Sequence, residues 1–221
     1  MNYFLFLTQL FVCLFTFSQN NFQLRKIDSS AYAIKISSLE YDLCKLHNCQ
    51  KENETSMLIA LSFFPELNGK KITFKQRKIK TTLNARPTIT SLLFSKKSKR
   101  AYVIRINTNK SDSIISLSTI PFNAKIGLFA HEFSHFLDYQ SLSLFGILGR
   151  GISYSSKKSK SKFEKEIDLQ TINRGLGWQL YDWSNYVQTE SNATFNYKQF
   201  KLTTYMSPME IEKHINQLSV Q

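Results

Sequence analysis

The sequence predicts an α+β fold, with residues 20–120 mainly strands and residues 121–221 mainly helical. Three observations predict it. Short apolar runs broken by Pro, Asn and Gly occupy the first half. Apolar residues recur at helical spacing over 126–139 and again over 176–187. Ser207-Pro208-Met209-Glu210 reads as a capping box with Pro at the first helical position. With 221 residues and 42% hydrophobic content, the chain can bury the core of one domain.

Residues 3–17 form an apolar run bounded by Ser18, Gln19, Asn20 and Asn21. It is short for a membrane span and suits a signal-peptide core, so residues 1–19 are expected to be a leader and the protein to be exported: periplasmic, envelope-associated or secreted. An uncleaved N-terminal anchor is the competing reading. Without the leader, Cys44 and Cys49 remain, and an even count in an exported chain predicts one local disulfide. A metal site built from both thiols and His47 lacks a fourth ligand.

Met57–Phe64 reads as a buried strand ended by Pro65, followed by a turn at Asn68-Gly69. Ile72 and Phe74 alternate with Thr73 and Lys75 in the next strand, and Arg86-Pro87 breaks the pattern. Tyr102–Ile106 is a third strand and Ile114–Ile120 a fourth. A helix over Ile126–Tyr139 follows, with Pro121 just upstream and Asn123 as candidate cap. Its apolar stripe is Ile126, Phe129, Ala130, Phe133, Phe136 and Leu137; Gly127, His131, His135 and Asp138 fall on the other side. Lys157–Lys165 reads as a basic loop rimming a cleft and favouring acidic substrates. A helix starting near Phe163 is interrupted at Gly175 and Gly177, Leu176, Leu180, Trp183 and Val187 mark a core helix, and a last helix runs from Pro208 to about Leu218.

Twenty-nine Lys+Arg against 16 Asp+Glu give a formal net charge of +13, concentrated in 70–80, 96–100 and 157–165. Such clusters read first as solvated loops and strand faces; weak association with anionic envelope polymers or acidic lipid surfaces is the competing reading. The chain has no finger, RNA-binding signature or base-reading basic helix, so specific nucleic-acid binding is not expected.

His131-Glu132-Phe133-Ser134-His135 carries the chemistry. On a helix, residues four apart share a face, so both imidazoles can converge on one metal ion with Glu132 beside them as general base. A third ligand is needed. The metzincin form requires Gly three residues and His six residues after the second His, where this chain has Asp138 and Ser141, so that class is excluded. His47 and His214 are distant in sequence and nothing recommends them. In Phe163-Glu164-Lys165-Glu166-Ile167-Asp168, Phe163, Ile167 and Ile172 define an apolar arc that includes Glu164 and Asp168, whereas Glu166 points away. A buried carboxylate needs a partner, which favours Glu164 as third ligand and Asp168 as acceptor for a ligand His N–H. The competing reading is an exposed helix in which Lys162 and Lys165 pair with these acids.

HEFSH followed by Glu164-Lys-Glu-Ile-Asp168 resembles the HExxH…ExxxD signature of gluzincin zinc metallopeptidases, the group that includes thermolysin and the HtpX-like membrane proteases. The resemblance implies a zincin-like fold in which a small mixed sheet packs on the active-site helix. It implies one Zn2+ per chain, held by His131, His135 and Glu164, with Glu132 as base and Asp168 behind the first His. It implies peptide or protein substrates, and suggests Tyr102–Ile106 as a sheet edge that holds an extended peptide, with plain sheet core as the competing reading. The chain departs from the HtpX-like proteases in lacking transmembrane helices, and from the thermolysin type in lacking an obvious equivalent of the residues that stabilise the transition state. Tyr139, Tyr154 and His214 are the candidate oxyanion donors. A non-catalytic zincin-like scaffold that binds a metal or a partner is the alternative function, and a basic envelope-binding protein with an incidental HExxH is a further one.

Overall fold

The computed structural model of the protein describes residues 23–34, 36–37, 51–109 and 115–219. The leader over 1–19 and the Cys44–Cys49 disulfide lie outside the described residues. The described part is α+β: three short strands, then a mostly helical C-terminal half. In chain order the elements are α1 (Lys51–Leu61), β1 (Ile72–Arg77), β2 (Leu83–Pro87), α2 (Ile89–Phe94), β3 (Tyr102–Asn107), α3 (Phe122–Ser141), α4 (Leu144–Ser153), α5 (Lys157–Thr171), α6 (Gly177–Thr189), α7 (Phe195–Thr204) and α8 (Pro208–Leu218).

The sheet order is β1-β3-β2, with β1 parallel and β2 antiparallel to β3. Tyr102 and Ile104 are fully buried, as expected of a central strand. This corrects the role suggested for Tyr102–Ile106. Both of its edges are already paired, so it offers no free row of backbone groups to a peptide. β2 escaped prediction because Arg86-Pro87 reads as a break; Pro87 is tolerated because β2 is an edge strand and Pro87 ends it.

Two predicted strands are corrected. Met57–Phe64 belongs to α1 and the turn after it. Met57, Leu58, Ile59, Ala60, Leu61 and Phe64 are all buried, so burial on every side erases the period that separates a helix from a strand. Ile115–Ile120 is extended chain and a 3-10 turn at Leu117–Thr119. Ile115 and Leu117 point inward and Ser116 outward, which mimics a strand, but no strand among the described residues pairs with it. Strand and helix therefore share the described part of residues 20–120.

α3 is the central element, packed against α1, β2, α5 and α6. Ile126, Phe129, Ala130, Phe133 and Phe136 are fully buried, as the apolar stripe predicts. The opposite side is also enclosed, by α5 and α6, so His131, His135 and Asp138 are buried rather than facing open solvent. The expected Asn123 cap is corrected too: Pro121 occupies the N-cap and Asn123 lies inside the helix. Its side chain instead accepts from the Ile27 amide and Gln179 Nε2, and donates to Asp182 and to the Arg25 carbonyl.

The Lys157–Lys165 loop is corrected as well. It is the start of α5, capped by Ser156, whose hydroxyl accepts from the Ser159 amide. Between α5 and α6 the chain makes one π-type turn at Ile172–Leu176, with Gly175 at φ 85°. Only glycine takes that conformation without strain. Gln23 bridges this break, its Nε2 donating to the Ile172 carbonyl and its Oε1 accepting from the Gly177 amide.

α8 begins with the predicted capping box. The Glu210 carboxylate accepts from the Ser207 amide at 2.8 Å and from Lys165 Nζ at 2.5 Å. Burial raises the Glu210 pKa, but Lys165 and Ser207 together hold it below the ordinary 4.5. A carboxylate with a depressed folded-state pKa stabilises the fold above its unfolded pKa, and that stability is lost as the pH falls through the folded value. Glu210→Gln is therefore expected to lower Tm by about 2–4 °C at neutral pH. The gap should close below pH 4.5. A gap that stayed constant down to about pH 3 would remove this role for the carboxylate.

Candidate metal centre

α3 and α5 cross so that the second half of one faces the middle of the other. His131 and His135 sit one helical turn apart on α3, and Glu164 projects from α5 between them. Glu164 Oε2 lies 3.3 Å from His131 Nε2 and 3.3 Å from His135 Nε2. One ligand atom from each of the three residues lies within 4.8 Å of the others. All three side chains are buried, and Glu164 Oε2 has no hydrogen-bond partner of good geometry. The buried His131, His135 and Glu164 cluster can hold a metal ion.

Two observations test the fit. Tetrahedral bonds of about 2.1 Å place neighbouring donors about 3.4 Å apart, so the two 3.3 Å separations match donors around a common ion. The second is charge: Glu132, Glu164 and Asp168 bury three carboxyl groups beside two imidazoles, a set whose negative charge a cation would offset. Without metal, a proton offsets part of that charge. Burial opposes a charge on His131, but its hydrogen bond to Asp168 and the Glu164 carboxylate 3.3 Å away, with the charges of both, outweigh burial and lift its pKa to about 10. Burial likewise raises the Glu164 pKa, and the two imidazoles more than reverse it, holding the carboxyl well below its usual range.

Asp168 occupies the position predicted for it. Its Oδ1 is 2.8 Å from His131 Nδ1, which orients the ring and leaves Nε2 for a metal. Its Oδ2 accepts from the Met206 amide at 2.8 Å, tying the ligand helix to the turn between α7 and α8. Glu166 is exposed and pairs weakly with Arg150 at 3.7 Å, so it is no part of the cluster. Glu132 is buried next to the cluster, and its Oε2 lacks a partner. Burial raises its pKa, His135 and His131 lower it, and the net direction is up.

The three candidate oxyanion donors separate. Tyr154 donates its hydroxyl to Glu164 Oε1 at 2.8 Å, so it buttresses the cluster. Tyr139 stacks on His135 with ring centres 6.2 Å apart. His214 is half-buried on α8 and does not line the cavity beside the cluster. That cavity, of about 30 Å³, is lined by His131, Glu132, Asp168, Trp183, Lys201 and Tyr205 among others. It has room for about two water molecules.

Tyr205 and Lys201 went unnoticed in the sequence. The Tyr205 ring packs edge-on to His131 at 5.5 Å, and burial, then the Glu164 charge, push its hydroxyl pKa well up, so it stays a donor. Lys201 is buried, with Nζ 3.9 Å from the Tyr205 ring centre and 5.5 Å from that of Trp183. Its charge is felt at Glu132. No local pattern marks either residue, because both reach the cavity from α7 and the turn after it, far from HEFSH in the chain. Compared with known proteins, the chain matches no family model, no curated protein and no solved structure.

Proposed function

We propose that the protein is a zinc-dependent metallopeptidase of gluzincin type with a zincin-like core, exported and acting on peptides or proteins. The observation that carries this reading is that His131 Nε2 and His135 Nε2 each lie 3.3 Å from Glu164 Oε2, with the unpartnered Glu132 Oε2 on the same helix as the two imidazoles. Two imidazoles and one carboxylate form a donor set that suits zinc, and a fourth position is left for water or substrate. Zinc bound there would lower the pKa of a water molecule and polarise a substrate carbonyl.

The chain's own residues supply the rest. Glu132 Oε2 takes a proton from the attacking water and passes it to the leaving amine. Asp168 fixes the His131 tautomer through Nδ1. The Tyr205 hydroxyl, kept protonated by its surroundings, and the Lys201 ammonium supply positive potential to the cavity, where an oxyanion would form. The cavity beside Glu132 is narrow, with room for about two water molecules. That same observation favours the alternative of a metal-binding scaffold without hydrolysis.

Elemental analysis of the purified full chain tests the metal. The parent is expected to carry about one zinc per chain, and His135→Ala and Glu164→Ala to lose most of it. Zinc retained by Glu164→Ala but not by His135→Ala would move the third ligand elsewhere. Zinc absent from the parent, or retained in both variants, would end the reading.

A further inference from the structure

We propose that α2 and α4 form one docking face that lies on an anionic lipid bilayer. Six of the eleven large apolar residues that are exposed among the described residues belong to these two short helices: Ile89, Leu93 and Phe94 on α2, and Phe145, Leu148 and Ile152 on α4. Phe145 is 81% exposed, Ile152 71% and Phe94 86%. On α4 the three exposed residues fall within an arc of about 60°. Their inward counterparts are Ile147, buried in the core, and Arg150, whose guanidinium is held by Asp138. The outer face of α4 is therefore apolar and uncharged, which is unusual for a surface helix.

The segments beside the two helices are joined. Lys97 Nζ donates to the Ser141 carbonyl at 2.7 Å, and the Arg100 guanidinium to the Tyr139 and Leu142 carbonyls. These bonds tie the segment after α2 to the turn that leads into α4.

Charge selects the occupant. The exposed lysines Lys96, Lys97 and Lys99 follow α2, and Lys157, Lys158 and Lys162 follow α4. Neither 88–101 nor 139–163 contains a single Asp or Glu. An apolar helix face flanked in sequence by lysines, its nearest acids Asp138 and Glu166 paired with Arg150, matches the boundary between acyl chains and anionic headgroups. No helix among the described residues is long and apolar enough to cross a membrane, so this contact is one of lying on the surface. It does not depend on the peptidase reading. Tyr154, at the end of α4, bonds to Glu164, so docking would bring the metal cluster close to the bilayer.

The test uses the full chain with vesicles of phosphatidylcholine alone or mixed with phosphatidylglycerol. Phe145→Trp reports on the face itself, whatever other segments of the chain do: brominated lipid should quench its added fluorescence in the anionic vesicles. Phe145→Ser/Leu148→Ser/Ile152→Ser is expected to weaken partitioning by about tenfold or more. Lys96→Gln/Lys99→Gln/Lys157→Gln/Lys158→Gln is expected to reduce it by a similar factor and to remove most of its salt sensitivity. No quenching at position 145, or unchanged partitioning in the triple variant, would overturn the proposal. Self-association that depends on the patch, seen by sedimentation without vesicle binding, would overturn it in favour of a second copy.

Discussion

Glu132→Gln is expected to abolish peptide cleavage, by about 10²–10⁴-fold in kcat, while zinc content stays at the parental level. The substitution preserves shape and removes only the capacity to accept a proton. Glu132 Oε2 has no hydrogen-bond partner, so an amide there breaks no bond that holds the fold. The proposed ligands are His131, His135 and Glu164, and Asp168 orients His131 independently of Glu132. The measurement is turnover of a quenched-fluorescent peptide library beside elemental analysis of the same preparation. Parental turnover in a zinc-loaded variant would remove Glu132 from the chemistry. If neither parent nor variant cleaved peptides, yet both performed the protein's biological task, the scaffold reading would stand. In the same assay Tyr205→Phe separates a donor from a packing residue. A fall in kcat with KM and zinc unchanged supports donation to the oxyanion, and an unchanged kcat assigns that task elsewhere.

Gly127→Ala is expected to destabilise the fold by about 3 kcal/mol, which for a chain of this size lowers Tm by about 6–12 °C. A Cβ built on Gly127 would lie 2.1 Å from the Gln179 carbonyl oxygen and 2.5 Å from the Leu180 amide nitrogen. Those atoms are backbone, so no rotamer change relieves the overlap. Alanine would otherwise gain about 1 kcal/mol in helix propensity, and the clash outweighs that gain. Gly127 is one turn before His131, so parting α3 from α6 there shifts the turn that bears the proposed ligands. Zinc affinity is expected to fall with stability. A variant that melts with the parent would show that the helices can part without cost.

The sequence made the centre legible because its parts are local. HEFSH and Glu164-Lys-Glu-Ile-Asp168 each lie within two helical turns, and their burial follows from the apolar residues interleaved with them. The capping box of α8 was legible for the same reason. Elements buried on all sides were not. The apolar run over 57–64 carries no period in the helix it adopts, and β2 hides behind its terminal proline. Tyr205, Lys201 and the use of Gly127 depend on which helices meet, and spacing along the chain carries none of that.

Gln23 gives the molecule an order of assembly. Its carboxamide waits for the Ile172 carbonyl and the Gly177 amide, which are synthesised some 150 residues later. Until Gly177 has left the ribosome the break before α6 cannot be bridged, and α6 cannot be seated against Gly127. A prematurely terminated product ending before residue 164 would contain both histidines and nothing to hold a metal against them. Assembly of the His131, His135 and Glu164 cluster thus requires the polypeptide to be synthesised past residue 164.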